Sequence, residues 1–195
     1  MPRKPRQGSS TGVYHWITRG MNRKALFHFR EDYLHFLDLI RDHSKEHEIL
    51  VYHYCLMPNH VHMLLYAPNV ASLSKFSHFL KRCYAYYHSK TAKHQGASFE
   101  RMYKSLPIED NAYLLECGRY IERNPLRANL ASRPDEYEYS SYAYYAFGRD
   151  SDILTTSPSY SALAEDKFTR QKLYSDYVTS FRPQEEYASA NKFAG

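Results

Sequence analysis

The sequence predicts an α+β fold of ferredoxin-like order, a split βαβ arrangement in which an antiparallel sheet carries helices on one face. Three observations lead there. Segments with strand-like and helix-like periodicity follow one another as β-α-β-β-α-β. Two of those strands are separated only by Pro58-Asn59, so they must form a tight hairpin. The chain has 195 residues, 43% hydrophobic and 24% charged, which suits one globular domain plus an appendage.

The first strand is Val13 to Arg19, "VYHWITR", rich in β-branched and aromatic residues. Gly20, Met21 and Asn22 break it. In "EDYLHFLDLIRDHSKEH", Tyr33, Phe36, Leu37 and Ile40 recur at helical spacing, and Glu31 and Asp32 suit a helix N-terminus. "ILVYHYCLM" is the second strand and "HVHMLLYA" the third. A second helix runs from Ser72, a candidate cap, to about Lys90, with an apolar stripe of Leu73, Phe76, Leu80, Cys83 and Tyr87. "SFERMYKSLPIE" is expected to be extended. Asp110 or Asn111 then opens a third helix, "AYLLECGRYIERN", which Pro125 stops.

The rest is an appendage. "SRPDEYEYSSYAYYAFG" is turn-rich and aromatic, and "DSDILTTSPS" reads as a linker. Tyr174, Tyr177, Val178 and Phe181 form the stripe of a docking helix, and "ASANKFAG" is expected to fray. The implied division is a flexible basic arm over 1–12, the main domain over 13–150, and a linker with helical tail over 151–195.

Composition narrows the function. No apolar run is long enough to span a membrane, and the basic start lacks the apolar stretch of a secretory signal. Three widely spaced cysteines suggest neither a disulfide framework nor a zinc ribbon, so a cytoplasmic location is expected. Net charge is +5 and 20 residues are Tyr. Cations meet phosphates and rings stack on unpaired bases, which fits a nucleic-acid partner; a tyrosine-rich core beneath a basic surface is the other reading.

The stretch "LMPNHVHMLL" carries the chemistry. On a strand, Val61, Met63 and Leu65 face one way, toward the covering helices. His60 and His62 face the other way, side by side. Two imidazoles so placed can grip one divalent ion; two exposed histidines on an open sheet face are the alternative. A third ligand must come from an element lying across that face. The third helix offers Tyr120 and Asn124, one turn apart. An Asn carbonyl oxygen suits a hard ion such as magnesium or manganese, leaving positions for a phosphate, with a phenol close by.

"LMPNHVHMLL", "YLLECGRYIERNPLRANL" and "YHWITRGMNRKALF" together resemble the REP-associated tyrosine transposases, one-tyrosine members of the His-hydrophobic-His nuclease superfamily. The resemblance covers about residues 13 to 145. It implies that His60, His62 and Asn124 are metal ligands, that Tyr120 is the nucleophile, and that the partner is single-stranded or hairpin DNA. Two departures stand out: the family commonly has a Trp where this chain has Tyr139, and the tail beyond about residue 150 has no clear counterpart. The implied reaction is attack by Tyr120 on a phosphodiester, giving a 5′-phosphotyrosine and a free 3′ hydroxyl, so that strands can be rejoined. Magnesium or manganese is the implied cofactor. A monomer or homodimer with no membrane partner is expected.

Arg19, Arg23, Lys24, Arg101 and Lys104 are candidate DNA contacts, with solvated surface charge as the alternative. Arg123 and Arg127 either steady the phosphate or pack the helix end. Arg3, Lys4 and Arg6 form an arm suited to lying along a strand. Two other patterns compete. His43-Ser44-Lys45-Glu46-His47 has the order of an inverted zinc protease, but it sits at the polar end of the first helix with no evident downstream acidic ligand. The β-α-β-β-α-β order also occurs in RNA-recognition modules, but no glycine-aromatic RNA-binding run is present, so a non-catalytic DNA- or RNA-binding module is the second reading.

Overall fold

The computed structural model describes residues 8–91 and 99–182. Arg3, Lys4 and Arg6 of the basic arm and the stretch expected to fray at 188–195 lie outside the described residues. Strands β1 (Val13–Arg19), β2 (Leu50–Met57), β3 (His60–Tyr66) and β4 (Lys104–Ile108) form one antiparallel sheet in the order β2-β3-β1-β4. Helices α1 (Arg30–Glu46) and α2 (Val70–Lys90) pack on one face. That is the ferredoxin-like arrangement the periodicity predicts.

The alternation of the strands decides which face is which. Trp16, Val61, Met63 and Leu65 join Phe36 and Ile40 of α1 and Leu73, Phe76 and Leu80 of α2 in the main apolar core. Trp16, the sole tryptophan, is fully buried there, and its Nε1 donates to Ser77 Oγ on α2 at 2.8 Å. The other face is covered by α3 (Asn111–Glu122), whose Leu114, Cys117, Tyr120 and Ile121 meet Val13, Cys55, Met57 and Leu64. Asp110 caps α3 by accepting from the Tyr113 backbone N–H at 2.7 Å.

Two details of α2 differ from the sequence reading. Its cap is Asn69, whose side chain accepts from the Ser72 backbone N–H at 2.8 Å, so the helix starts two residues earlier. Its stripe continues through Tyr84 rather than Cys83. Tyr84 is fully buried and donates to Leu26 O at 2.6 Å, while Cys83 is half-buried. A spacing of four from Leu80 holds Tyr84 on the 3.6-residue line better than a spacing of three.

Beyond α3 the chain forms α4 (Asn124–Arg127), α5 (Tyr142–Phe147), α6 (Pro158–Ser161) and α7 (Lys167–Thr179). Tyr142, Tyr145, Tyr160, Tyr174 and Val178 make a further buried cluster. Much of the tyrosine excess is therefore core, as the second reading of the composition had it. The segment read as a linker lies against β2, where Leu154 bridges Val51 and Thr155 N–H donates to Val51 O at 2.8 Å. Tyr174 and Val178 are buried on α7 as the stripe predicts, but Phe181 falls beyond the helix and is exposed. Among the described residues no helix is long and apolar enough to cross a membrane.

Candidate active site

Pro58 and Asn59 do more than turn the hairpin. The Pro58 carbonyl accepts from the Leu26 and Phe27 backbone N–H groups, and the Asn59 carbonyl from Gly20 N–H. Asn59 Nδ2 also donates to Arg23 O at 3.1 Å. The loop after β1 is thereby pinned to the hairpin. A Cβ at Gly20 would lie 2.1 Å from the Lys24 carbonyl oxygen, so the close approach requires glycine.

The same asparagine sets a histidine. His60 Nδ1 lies 2.6 Å from Asn59 Oδ1, which can only accept, so the proton sits on Nδ1 and Nε2 is left as an acceptor. His62 is held from beneath. Its Nδ1 is 2.9 Å from Nε2 of His15, the residue on β1 that shares its face, and the two rings stack with centroids 5.1 Å apart. The His60 and His62 rings stand edge to face, centroids 4.9 Å apart at 80°. The face is not open: α3 covers it, and His62 is buried.

Burial lowers the His15 pKa to about 3. Burial and the nearby Arg19 charge lower that of His60 to about 4. Burial, followed by the surrounding His15, His60, Arg19 and Arg127 charges, pushes His62 well below its ordinary value. All three rings are neutral near pH 7, the form that coordinates metals.

Pro125 builds the opposite wall. It has no N–H, so it cannot bond to the carbonyl four residues back, that of Ile121. Asn124 Nδ2 takes that acceptor at 3.2 Å, together with Tyr120 O at 3.0 Å. With its amide nitrogen committed to two carbonyls, Asn124 has Oδ1 left for the cleft it lines. Tyr120 faces the histidines edge-on, with ring centroids 5.9 Å from His62 and 5.8 Å from His15. Arg127 donates to Tyr120 O at 3.0 Å and lays its guanidinium 4.4 Å from the Tyr120 ring centroid. Burial raises the Tyr120 pKa, Arg127 opposes the rise, Cys117 adds to it and Arg19 opposes it.

His60, His62, Tyr120 and Asn124 line one cleft of about 200 Å³. Arg19 and Lys104 line it as well, and Glu100 and Met102 add contacts that the sequence did not single out. Arg101 lies outside it, in a neighbouring groove with Lys81, Arg82 and Phe99. Arg23 and Lys24 are exposed on the pinned loop. Arg123 is a correction. It is buried, and its Nη1 donates to Val178 O at 2.7 Å, so of its two sequence readings it packs the helix end and is withdrawn from DNA.

Sequence reasoning missed three supports. His15 shares a face with His62 only once β1 pairs with β3, and a parity count along β1 could have raised it. Asn59 lay inside the motif but was read only as a break. The buried His53–Glu122 pair depends on a bulge at Tyr52 that shifts the alternation of β2 by one. His53 Nδ1 is 3.0 Å from Glu122 Oε1, which also accepts from Ser141 Oγ at 2.6 Å, while Tyr174 OH donates to Oε2 at 2.7 Å. Gly118 makes room for this pair, since a Cβ there would lie 2.8 Å from the His53 ring.

Together, the sheet, the histidine pair and the helix that carries Tyr120 build one cleft on the α3 side of a ferredoxin-like fold. Residues 9–124, more than half of the chain, match the family of IS200-like transposases, and the chain belongs to it. A REP-associated tyrosine transposase bound to a REP hairpin has the same fold, with a TM-score of 0.64 over 80% of this chain and 93% of that one at 13% identity. A protein of Deinococcus radiodurans described as a transposase aligns over 57% of this chain and 90% of its own, at 19% identity and a TM-score of 0.40. No curated protein sequence matches the chain. Membership makes the protein a DNA-cleaving and DNA-transferring enzyme in the general sense. Transposases of this family are generally metal-dependent, and the donor set fits such an ion: two neutral imidazoles, of which His60 has its Nε2 left as an acceptor, and an amide oxygen.

Proposed function

We propose that the protein is a metal-dependent single-stranded DNA endonuclease and strand transferase that acts at hairpin DNA through Tyr120. The observation that carries this reading is the joint lining of one cleft by His60, His62, Tyr120 and Asn124. These residues come from the β3 side of the hairpin, from α3 and from the start of α4, far apart in sequence, and each is held by a dedicated partner. The solved relative bound to a REP hairpin supports hairpin DNA as the substrate class.

His60 and His62 would hold a magnesium or manganese ion through Nε2, and Asn124 through Oδ1. Such an ion, when bound, supplies charge to a nonbridging phosphate oxygen and favours the in-line geometry of attack. Arg19 and Lys104 attract the phosphodiester into the cleft and fix its position. Tyr120 Oη attacks phosphorus, its proton leaving to solvent. The phosphorus–O3′ bond breaks, the 3′ oxygen takes a proton, and the 5′ phosphate stays on Tyr120. Arg127 offsets the cost of forming a phenolate in a partly desolvated cleft. The reverse attack by a 3′ hydroxyl rejoins strands.

A hairpin single strand labelled at its 3′ end tests this. With manganese, the labelled fragment should migrate with the protein as a covalent adduct, and a chelator should remove the product. Binding to a hairpin with unpaired flanks should exceed binding to a blunt duplex, with a log–log salt slope of roughly −3 for about four phosphates. An unlabelled protein band after full cleavage would point to hydrolysis instead. The RNA-recognition reading loses its platform: RNA-binding sheets present an open face, and here α3 buries that face, leaving Cys55 and Leu64 fully covered.

A further inference from the structure

A second group of ligand-type side chains meets at the end of α1. His43, Glu46 and His47 each bring one donor atom within 4.8 Å of the other two, the one such group of His, Cys, Asp and Glu among the described residues. Helical spacing puts all three on one side of α1. His43 Nδ1 lies 3.0 Å from Glu46 Oε2. The two histidine rings are near parallel, at 18°, and both stack on Phe79 of α2 with centroids 6.0 and 5.3 Å away.

The helix end that carries them is closed tightly. Ile49 N–H donates to Ser44 O at 2.8 Å and Glu48 N–H to Lys45 O at 3.4 Å, with Glu48 in the left-handed region at φ 57°. His47 is therefore fixed by backbone on one side and Phe79 on the other. Its Nε2 is buried and has no hydrogen-bond partner among the described residues. A buried ring nitrogen left unpaired is a standing cost, and a solvated helix end does not explain it.

We infer that His43, Glu46 and His47 form a second metal site, for a borderline-soft divalent ion of the zinc class. Two imidazole nitrogens and one carboxylate oxygen are the mixed nitrogen and oxygen set that zinc takes in tetrahedral sites. A tetrahedral ion with bonds of about 2.0–2.1 Å holds neighbouring donors about 3.3 Å apart. The His43–Glu46 spacing is already close to that, and rotation of the partly exposed His43 and Glu46 side chains closes the gap to His47. The site is separate from the cleft. It lies on the face opposite α3, beside the Leu50 end of β2, while His60 pairs with Met57 at the other end. Seven residues of strand separate those ends by roughly 20 Å. The ion would tie the last turn of α1 to its C-cap residue and leave the DNA chemistry untouched.

This inference does not depend on the proposed reaction, and its test keeps the two apart. The full chain carrying His60→Ala and His62→Ala is titrated with zinc, and with cobalt followed by visible absorption. We expect one ion bound and a zinc-dependent rise in Tm. Adding His43→Gln and His47→Gln should weaken zinc binding at least about a hundredfold and abolish the Tm rise. In parallel, wild type and the His43→Gln/His47→Gln variant are compared directly, so a folding defect in the cleft variant cannot mask the result. The variant should bind one zinc fewer and cleave DNA with magnesium at the wild-type rate. Zinc binding that survives the loss of His43 and His47, or an equal zinc count in wild type and variant, overturns the site.

Discussion

His62 and His53 are both buried on the α3 side of the sheet, yet they do opposite things. His53 meets a carboxylate: Glu122 accepts from it, from Ser141 and from Tyr174, and every group is enclosed. His62 meets another imidazole, His15, which orients it without lending charge. The first arrangement is closed and ties α3, α5 and α7 to β2. The second keeps a neutral ring aimed into a cleft lined by Tyr120 and Asn124. A buried histidine is thus locked into a closed network or left facing a cleft according to what its ring nitrogens meet.

The sharpest break between the two regions is expected at the tyrosines. Tyr120→Phe should abolish the covalent adduct, a loss of at least about a thousandfold, while leaving the unfolding midpoint near wild type, since only the hydroxyl is removed. Adduct of undiminished yield in this variant would move the nucleophile to another tyrosine. Tyr174→Phe should do the reverse, lowering stability by about 1–3 kcal/mol through the donor lost to Glu122. Next come the ligands. His60→Ala and His62→Ala should each reduce cleavage at least about a hundredfold, and Asn124→Ala about tenfold, because water can replace a neutral oxygen. Full activity of a double histidine variant in chelator would sink the metal assignment.

Glu122→Ala sharpens the comparison from the other side. It should cost about 3–5 kcal/mol in urea unfolding, as expected when one partner of a buried pair is removed. A variant of normal stability that fails to cleave DNA would show that Glu122 belongs to the chemistry after all. The last test concerns acid. His15, His60 and His62 have pKa values lowered in the folded state, so unfolding takes up protons below the unfolded value of about 6.5. Stability is complete above that pH. It should fall as pH drops toward about 4, by of order 1 kcal/mol per pH unit for each histidine. A metal-free Tm profile that is flat between pH 6.5 and 4.5 would contradict the neutral-ring arrangement.

The strand order, the hairpin and the His60–His62 pair were legible because they depend on local periodicity and on residues within one or two positions of each other. Tyr120 and Asn124 were legible because helical spacing relates them. The supports were not. His15 and His62 are 47 residues apart, and His53 and Glu122 are 69 apart, so only pairing across the sheet joins them. The bulge at Tyr52 hid His53 further, because it breaks the alternation from which a face is read. Arg123 shows a related limit. A cation beside a site looks like a phosphate contact until α7 brings its Val178 carbonyl to it.

The position of the single tryptophan gives these experiments a built-in optical reporter. Trp16 lies in the dry core between sheet and α2, bonded to Ser77 and beside Tyr103 and Phe76. Its emission therefore follows the integrity of that layer and is shielded from the cleft on the other side of the sheet. A substitution that disables chemistry alone should leave the fluorescence spectrum blue-shifted and unchanged. One that loosens the scaffold should move it to the red as water reaches the indole. Each loss of cleavage can thus be sorted, in the same cuvette, into a damaged site or a damaged fold.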